Sequence, residues 1–212
     1  MKKVFFLLFI SSFFCHSQTN KKFDFELDNC LSALDINELS HALEYFENEL
    51  QQRYKNENLN TVYLKYLESF YVPGEENPEL EFFLNKDALK IIERLKSNNT
   101  FDKIWISLSE AVSLVRDDNG DPILNDPDND KFIIINKNGV YQECVRSSTN
   151  SSIIKLYIQF EMDNPGMSFT LSARFLRRGL KEKELDSDLN RLVIALGFYY
   201  EYSYMMNNYN ED

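Results

Sequence analysis

Alternating aspartates carry the most explicit chemistry in this chain. Asp117-Asp118-Asn119-Gly120-Asp121-Pro122 leads through Asn125 into Asp126-Pro127-Asp128-Asn129-Asp130, and hard oxygen ligands at alternate positions are what calcium requires. Asp126, Asp128 and Asp130 therefore form the candidate metal set, with calcium as the candidate ion. The run resembles the start of an EF-hand-type loop and then departs from it. Lys131 stands where the sharp-turn glycine belongs and Lys137 where the bidentate glutamate belongs.

Nucleophilic and redox-metal chemistry have less support. Glu38-Leu39-Ser40-His41 has the Glu-x-x-His spacing of carboxylate-bridged di-iron bundles, but such sites need two copies. His16 falls in the amino-terminal leader described below, which leaves His41 alone, and His41 would also have to be the base of any Ser-His-Asp or Cys-His mechanism. Ser152-Ile153-Ile154-Lys155 matches the Ser-x-x-Lys spacing of penicillin-recognising enzymes without the accompanying Ser-Asp-Asn or Lys-Thr-Gly. It also opens an alternating segment, and a strand there would place Ser152 and Lys155 on opposite faces. Glu75, Glu76, Glu79 and Glu81 offer carboxylates for glycoside hydrolysis, but their spacing predicts no particular separation. Six glycines supply neither a Gly-x-Gly-x-x-Gly run nor a P-loop. No catalytic residue and no cofactor site is assigned.

Two clusters suit recognition instead. Arg174, Arg177, Arg178, Lys181 and Lys183 lie within ten residues of an otherwise acidic chain. Near the carboxyl end, Phe198-Tyr199-Tyr200-Glu201-Tyr202-Ser203-Tyr204-Met205-Met206 is rich in tyrosine, which joins apolar area to a polar tip. Tyr199 and Met206 continue a helical stripe and read as core. Tyr200, Tyr202 and Tyr204, with Arg177 and Arg178, form the candidate interaction surface.

The elements that position these groups follow from periodicity. Residues 18–34 are polar and weakly periodic and read as an arm. Asp35 and Glu38 have capping-box spacing, and Ile36, Leu39, Leu43, Phe46 and Leu50 recur on one helical face. Leu59, Tyr63, Tyr66, Leu67 and Phe70 mark a second helix that stops before Pro73-Gly74. Leu84, Ala88, Ile91, Ile92 and Leu95 mark a third. Thr100 caps a fourth through Phe101, Ile104, Trp105, Leu108, Ala111, Val112 and Val115, with a strand over Lys103 to Leu108 as the weaker reading. Phe132 to Ile135 is a β-branched run, Asn138-Gly139 is a hairpin signal, and Val140 to Arg146 returns. Ile154 to Met162 alternates, turns at Asn164-Pro165-Gly166, and alternates again from Met167 to Phe175. Leu185, Leu189, Leu192, Leu196 and Tyr199 define a long last helix. The expectation is α+β: four N-terminal helices, a four-stranded antiparallel meander and a long C-terminal helix, as one domain over residues 35–212.

Compartment and charge bound the function. Met1-Lys2-Lys3, the apolar run from Val4 to Ile10, and Cys15 and Ser17 as small residues before Gln18 have the layout of a signal peptide spanning residues 1–17. A lipid anchor at Cys15 is the minor alternative, disfavoured by the bulk of Phe14. The apolar run is broken well short of the roughly 20 residues that a membrane span needs, so no integral segment is expected after cleavage. The net charge is −11, and removing residues 1–17 makes the remainder more acidic still, which disfavours nucleic acid and anionic surfaces. Cys30 and Cys144 then remain as an even pair, and an oxidising compartment favours a disulfide between them. Asn98 and Asn150 are glycosylation acceptors if the exporting cell is eukaryotic, while a bacterial product would be periplasmic or secreted. The leading expectation is an exported, non-catalytic protein that binds another macromolecule, as an inhibitor or an envelope accessory factor. A small-ligand or carbohydrate-binding protein is the first alternative, signalled by a deep aromatic pocket instead of an exposed tyrosine patch. A carboxylate- or metal-dependent hydrolase is the second.

Overall fold

The computed structural model describes residues 23–55, 57–74, 79–113 and 127–209. The signal-peptide segment, Glu75 and Glu76, and Asp117 to Asp126 of the Asp-rich loop lie outside the described residues.

Helix α1 (Ala33–Arg53) runs through the centre. Its stripe of Ile36, Leu39, Ala42, Leu43, Phe46 and Leu50 is buried throughout, as a 3.6-residue period requires of a helix covered on one broad face. The capping box sits one turn earlier than the sequence spacing suggests. Ser32 is the N-cap, Asp35 N–H donates to Ser32 Oγ at 3.2 Å, and Ser32 N–H donates to Asp35 Oδ2 at 2.9 Å. Helices α2 (Leu59–Ser69), α3 (Leu80–Phe83) and α4 (Lys86–Ser97) follow. The arm is less peripheral than its polarity implies, because Phe23, Phe25, Leu27 and Leu31 are all buried.

The expected fourth helix is interrupted. Helix α5 (Phe101–Ile104) gives way to strand β1 (Trp105–Ser107) and then to α6 (Leu108–Ser113). After a 3₁₀ turn at Pro127–Lys131, strand β2 (Ile133–Ile135) pairs antiparallel with β1, Trp105 opposite Ile135 and Ser107 opposite Ile133. These two strands make up the only sheet among the described residues.

The four-stranded meander, and with it the α+β assignment, is overturned. Asn138-Gly139 does not turn a hairpin but leads into helix α7 (Val140–Ser148), with Gly139 as its N-cap. The two alternating segments are helices α8 (Ser152–Asp163) and α9 (Phe169–Gly179). Each begins at a serine whose side chain accepts from a backbone N–H three residues on, Ser151 from Ile154 and Ser168 from Leu171, the arrangement that starts helices. Ile154, Ile158 and Met162 are four apart, a spacing that satisfies a period of 2 and a period of 3.6 alike. The buried set of Ile154, Tyr157 and Ile158 has the helical spacing. The turn between α8 and α9 uses Gly166 at φ +77°, where other residues are strained.

The chain ends as one long helical run. A 3₁₀ turn at Glu182–Asp186 leads into α10 (Asp188–Ile194), a π-helical segment (Ala195–Tyr200) and α11 (Glu201–Tyr209). Glu201 N–H donates to Leu196 O, a five-residue step, and all six residues of the π segment are buried. Gly197 permits the close approach of α8, since a Cβ there would lie 2.5 Å from the Tyr157 hydroxyl.

The Cys30 and Cys144 sulfurs lie at disulfide distance, joining the turn before α1 to α7 across a sequence separation of 114 residues. No helix among the described residues is long and apolar enough to cross a membrane.

Three carboxylates on α1 are buried, and each meets a cation from another element. Asp35 lies 2.6 Å from Lys103 Nζ and also accepts from Thr100 Oγ1 at 2.8 Å. Glu38 pairs with Arg94 of α4 at 2.7 Å, and Glu47 with Arg191 of α10 at 2.7 Å. Burial opposes ionisation of Asp35, but Lys103, Ser32 and Thr100 outweigh it and hold the carboxyl at about 2. Its contribution to stability is therefore present above the ordinary carboxylate range and lost as pH falls toward 2. Lys103→Met should cost about 3–5 kcal/mol at pH 7 by stranding a buried charge. The deficit should shrink below pH 4 as Asp35 protonates, measured by urea unfolding across pH. Replacing Cys30 and Cys144 together with alanine should lower stability by about 4–5 kcal/mol through the long loop released, read in the same assay against the oxidised protein.

Candidate functional site

A cavity of about 690 Å³ opens between the carboxyl-terminal helix and the segment joining α8 to α9. Aromatic and aliphatic side chains build most of its wall. Phe70 comes from the end of α2, Phe83 from α3 and Phe169 from the first turn of α9, while α11 supplies Tyr202 and Met205. Leu108, Phe132, Ile133 and Ile134 close the side formed by α6 and β2. Tyr202 meets the other three rings edge to face, while Phe70 and Phe169 are stacked. Tyr202 lies 4.5 Å from Phe83, 4.9 Å from Phe169 and 5.8 Å from Phe70 between ring centroids, separations and angles that aromatic quadrupoles favour.

Two carboxylates face this apolar wall. Glu161, on the last turn of α8, accepts from Ser172 Oγ of α9 at 2.5 Å. Glu201, the first residue after the π segment, accepts on Oε1 from the Trp105 indole N–H at 2.9 Å and is only 9% exposed. Both line the cavity, and neither forms an ion pair among the described residues. Burial pushes Glu161 up to about 7, against a weaker opposing pull from the Ser172 hydroxyl. Burial pushes Glu201 well above the usual carboxylate range and the charge of Glu161 adds to this, opposed only by the indole N–H. The site thus joins a polarisable apolar wall to two carboxyl groups whose charge the protein leaves uncompensated.

The residues singled out by sequence are distributed differently. Tyr200 is fully buried and its hydroxyl donates to Ala42 O at 2.8 Å, so it contributes no surface. Tyr202 is a wall of the cavity, and Tyr204 is half-buried with Lys96 Nζ 5.0 Å above its ring. The helical run is buried at every position from Leu192 to Glu201, so Tyr199 and Tyr200 both lie inside although they are adjacent. Arg177 is tied to Glu68 at 2.6 Å, and Arg178 is exposed and away from the cavity. Asp128 pairs with Lys131 at 3.4 Å and Asp130 accepts from Ser109 Oγ. Asp126 lies outside the described residues, among which no group of three or more His, Cys, Asp or Glu is placed to hold a metal. His41 is exposed and its motif partner Glu38 is taken by Arg94. Ser152 and Lys155 share the first turn of a helix instead of opposite faces of a strand, yet both are exposed and no hydrogen bond joins them.

Sequence reasoning missed both glutamates. One signal was present for Glu201, the only charged residue between Leu192 and Met206. A lone charge in so apolar a run must be buried in a special environment or break the element that carries it.

Glu161 also sets a pH dependence. Its folded value lies above its unfolded value, so its neutral form favours the fold, and that advantage is lost as pH rises from about 4.5 through about 7. Glu161→Gln should therefore match the unmodified protein near pH 4 and exceed its stability by up to about 3 kcal/mol at pH 8, as measured by urea midpoints at the two pH values.

No protein-family model, curated protein or solved structure matches the chain.

Proposed function

We propose that this protein is an exported, non-catalytic binder of a small molecule held in the cavity between α9 and α11. The observation that carries this reading is the cavity itself, about 690 Å³ and lined by aromatic and aliphatic side chains together with polar groups that include Glu161 and Glu201, within the size range of a ligand site. The pair of cysteine sulfurs at disulfide distance supports an oxidising compartment, in keeping with the signal-peptide layout of residues 1–17.

A tyrosine patch for a macromolecular partner finds less support, since Tyr200 is buried and Tyr202 faces the cavity.

The methyl groups of Leu108, Ile133, Ile134, Met167 and Met205 line the cavity and serve as reporters. Titration with benzyl alcohol and with methyl β-glucopyranoside, followed by methyl NMR, should shift these resonances together and leave Leu156, exposed on the outer face of α8, unmoved. Shifts confined to outer faces, or none up to the solubility limit, would reject the cavity as a binding site.

A further inference from the structure

Buried carboxylates in this protein otherwise follow one rule. Asp35, Glu38 and Glu47 each meet a cation within 2.7 Å. Glu201 is the one deeply buried carboxylate among the described residues that has none. Its hydrogen-bond partner among the described residues is the Trp105 indole, a neutral donor that supplies no counter-charge. Glu161 repeats the pattern, with only the Ser172 hydroxyl as partner. Among the described residues that line the cavity there is no lysine, arginine or histidine. The missing positive charge is therefore missing at the place where a ligand would sit.

The aromatic wall points the same way. The faces of Phe and Tyr rings carry negative potential and attract a cation within about 6 Å of their centroids, and Phe70, Phe83, Phe169 and Tyr202 converge on this space. An anion would meet two acids with no counter-charge among the described lining residues. The net charge of −11 raises the local concentration of cations around the molecule and lowers that of anions.

We propose that the cavity binds an organic cation, a protonated amine whose ammonium answers Glu161 and Glu201 while its apolar body lies on the rings of Phe70, Phe169 and Tyr202. The inference rests on the small-ligand reading above and assigns the chemical class of that ligand. Trp105 is the only tryptophan, and its hydrogen bond to Glu201 makes its fluorescence a direct reporter.

The test is a fluorescence titration of the full chain at pH 7.5 with three probes of matched length: phenethylammonium, neutral 2-phenylethanol and anionic phenylacetate. Phenethylammonium should bind at least tenfold more tightly than the alcohol, and the carboxylate should be weakest. Glu201→Gln, which keeps an acceptor for the indole, and Glu161→Gln should each weaken the ammonium at least tenfold and leave the alcohol within twofold. Circular dichroism establishes that each variant is folded, and either variant alone suffices if the other is not. Equal or tighter binding of the alcohol or the carboxylate overturns the cation assignment while the small-ligand reading stands. Absence of binding by all three probes, with no methyl shifts at the cavity, overturns both.

Discussion

Charge cannot be buried without a partner, and α1 carries three buried carboxylates. Asp35 finds Lys103 beside the start of β1, Glu38 finds Arg94 on α4, and Glu47 finds Arg191 on α10. The apolar stripe of α1 would pack against many surfaces at nearly the same free energy, because hydrophobic burial is not directional. Ion pairs at 2.6–2.7 Å are directional, so these contacts fix which element lies where along the central helix. The position of α10, and therefore of the π segment and Glu201 beyond it, is set from the Glu47 end of this series.

Glu201 stands outside that pattern, and the cost of leaving it unpaired falls on the fold. Such departures from local consistency are where function is expected to reside, since a sequence under selection for stability alone would pair the carboxyl or replace it with an apolar side chain. The rest of the scaffold is built to tolerate the cost. Phe46 packs against Tyr63, Tyr66 and Tyr199 at centroid separations of 5.0–5.6 Å, and the aromatic cluster continues through Phe70 and Phe83 to the cavity wall. A rigid aromatic layer thus runs from the core to the site, and the wall of the cavity is an extension of the core.

Much of the helical part was legible. The stripes of α1, α2 and α4 were readable because their apolar residues recur at steps of three and four over three or more turns, a spacing no strand shares. The segments α8 and α9 misled for the opposite reason. Each is 11 or 12 residues long, apolar on more than one side, and spaced by fours at the positions that weigh most. Ser151 and Ser168, two N-caps three residues ahead of an apolar position, would have decided the matter. The strand pair was visible at Ile133–Ile135 as a β-branched run, while β1 fell within the weaker strand reading of Lys103 to Leu108, overshadowed there by a helical period. Of the site, Tyr202 was singled out and Glu201 left one signal, but the pairing of Glu161 with Glu201 was not legible, because the two are far apart in sequence and ordinary in type. Their significance comes from the absence of a cation, which only packing in three dimensions reveals.

The π segment makes the site sensitive to chain length in a way that a regular helix would not be. A π turn holds one residue more than an α turn, and removing that residue would let Ala195–Tyr200 relax to a uniform α-helix. Every side chain beyond it would then rotate by about 100°. Glu201 would swing off Trp105 and Tyr202 off Phe83, while α1 and α10 kept their pairing through Glu47 and Arg191. Loss of a single residue near Gly197 would thus dismantle the cavity while the helices that precede it stayed in place.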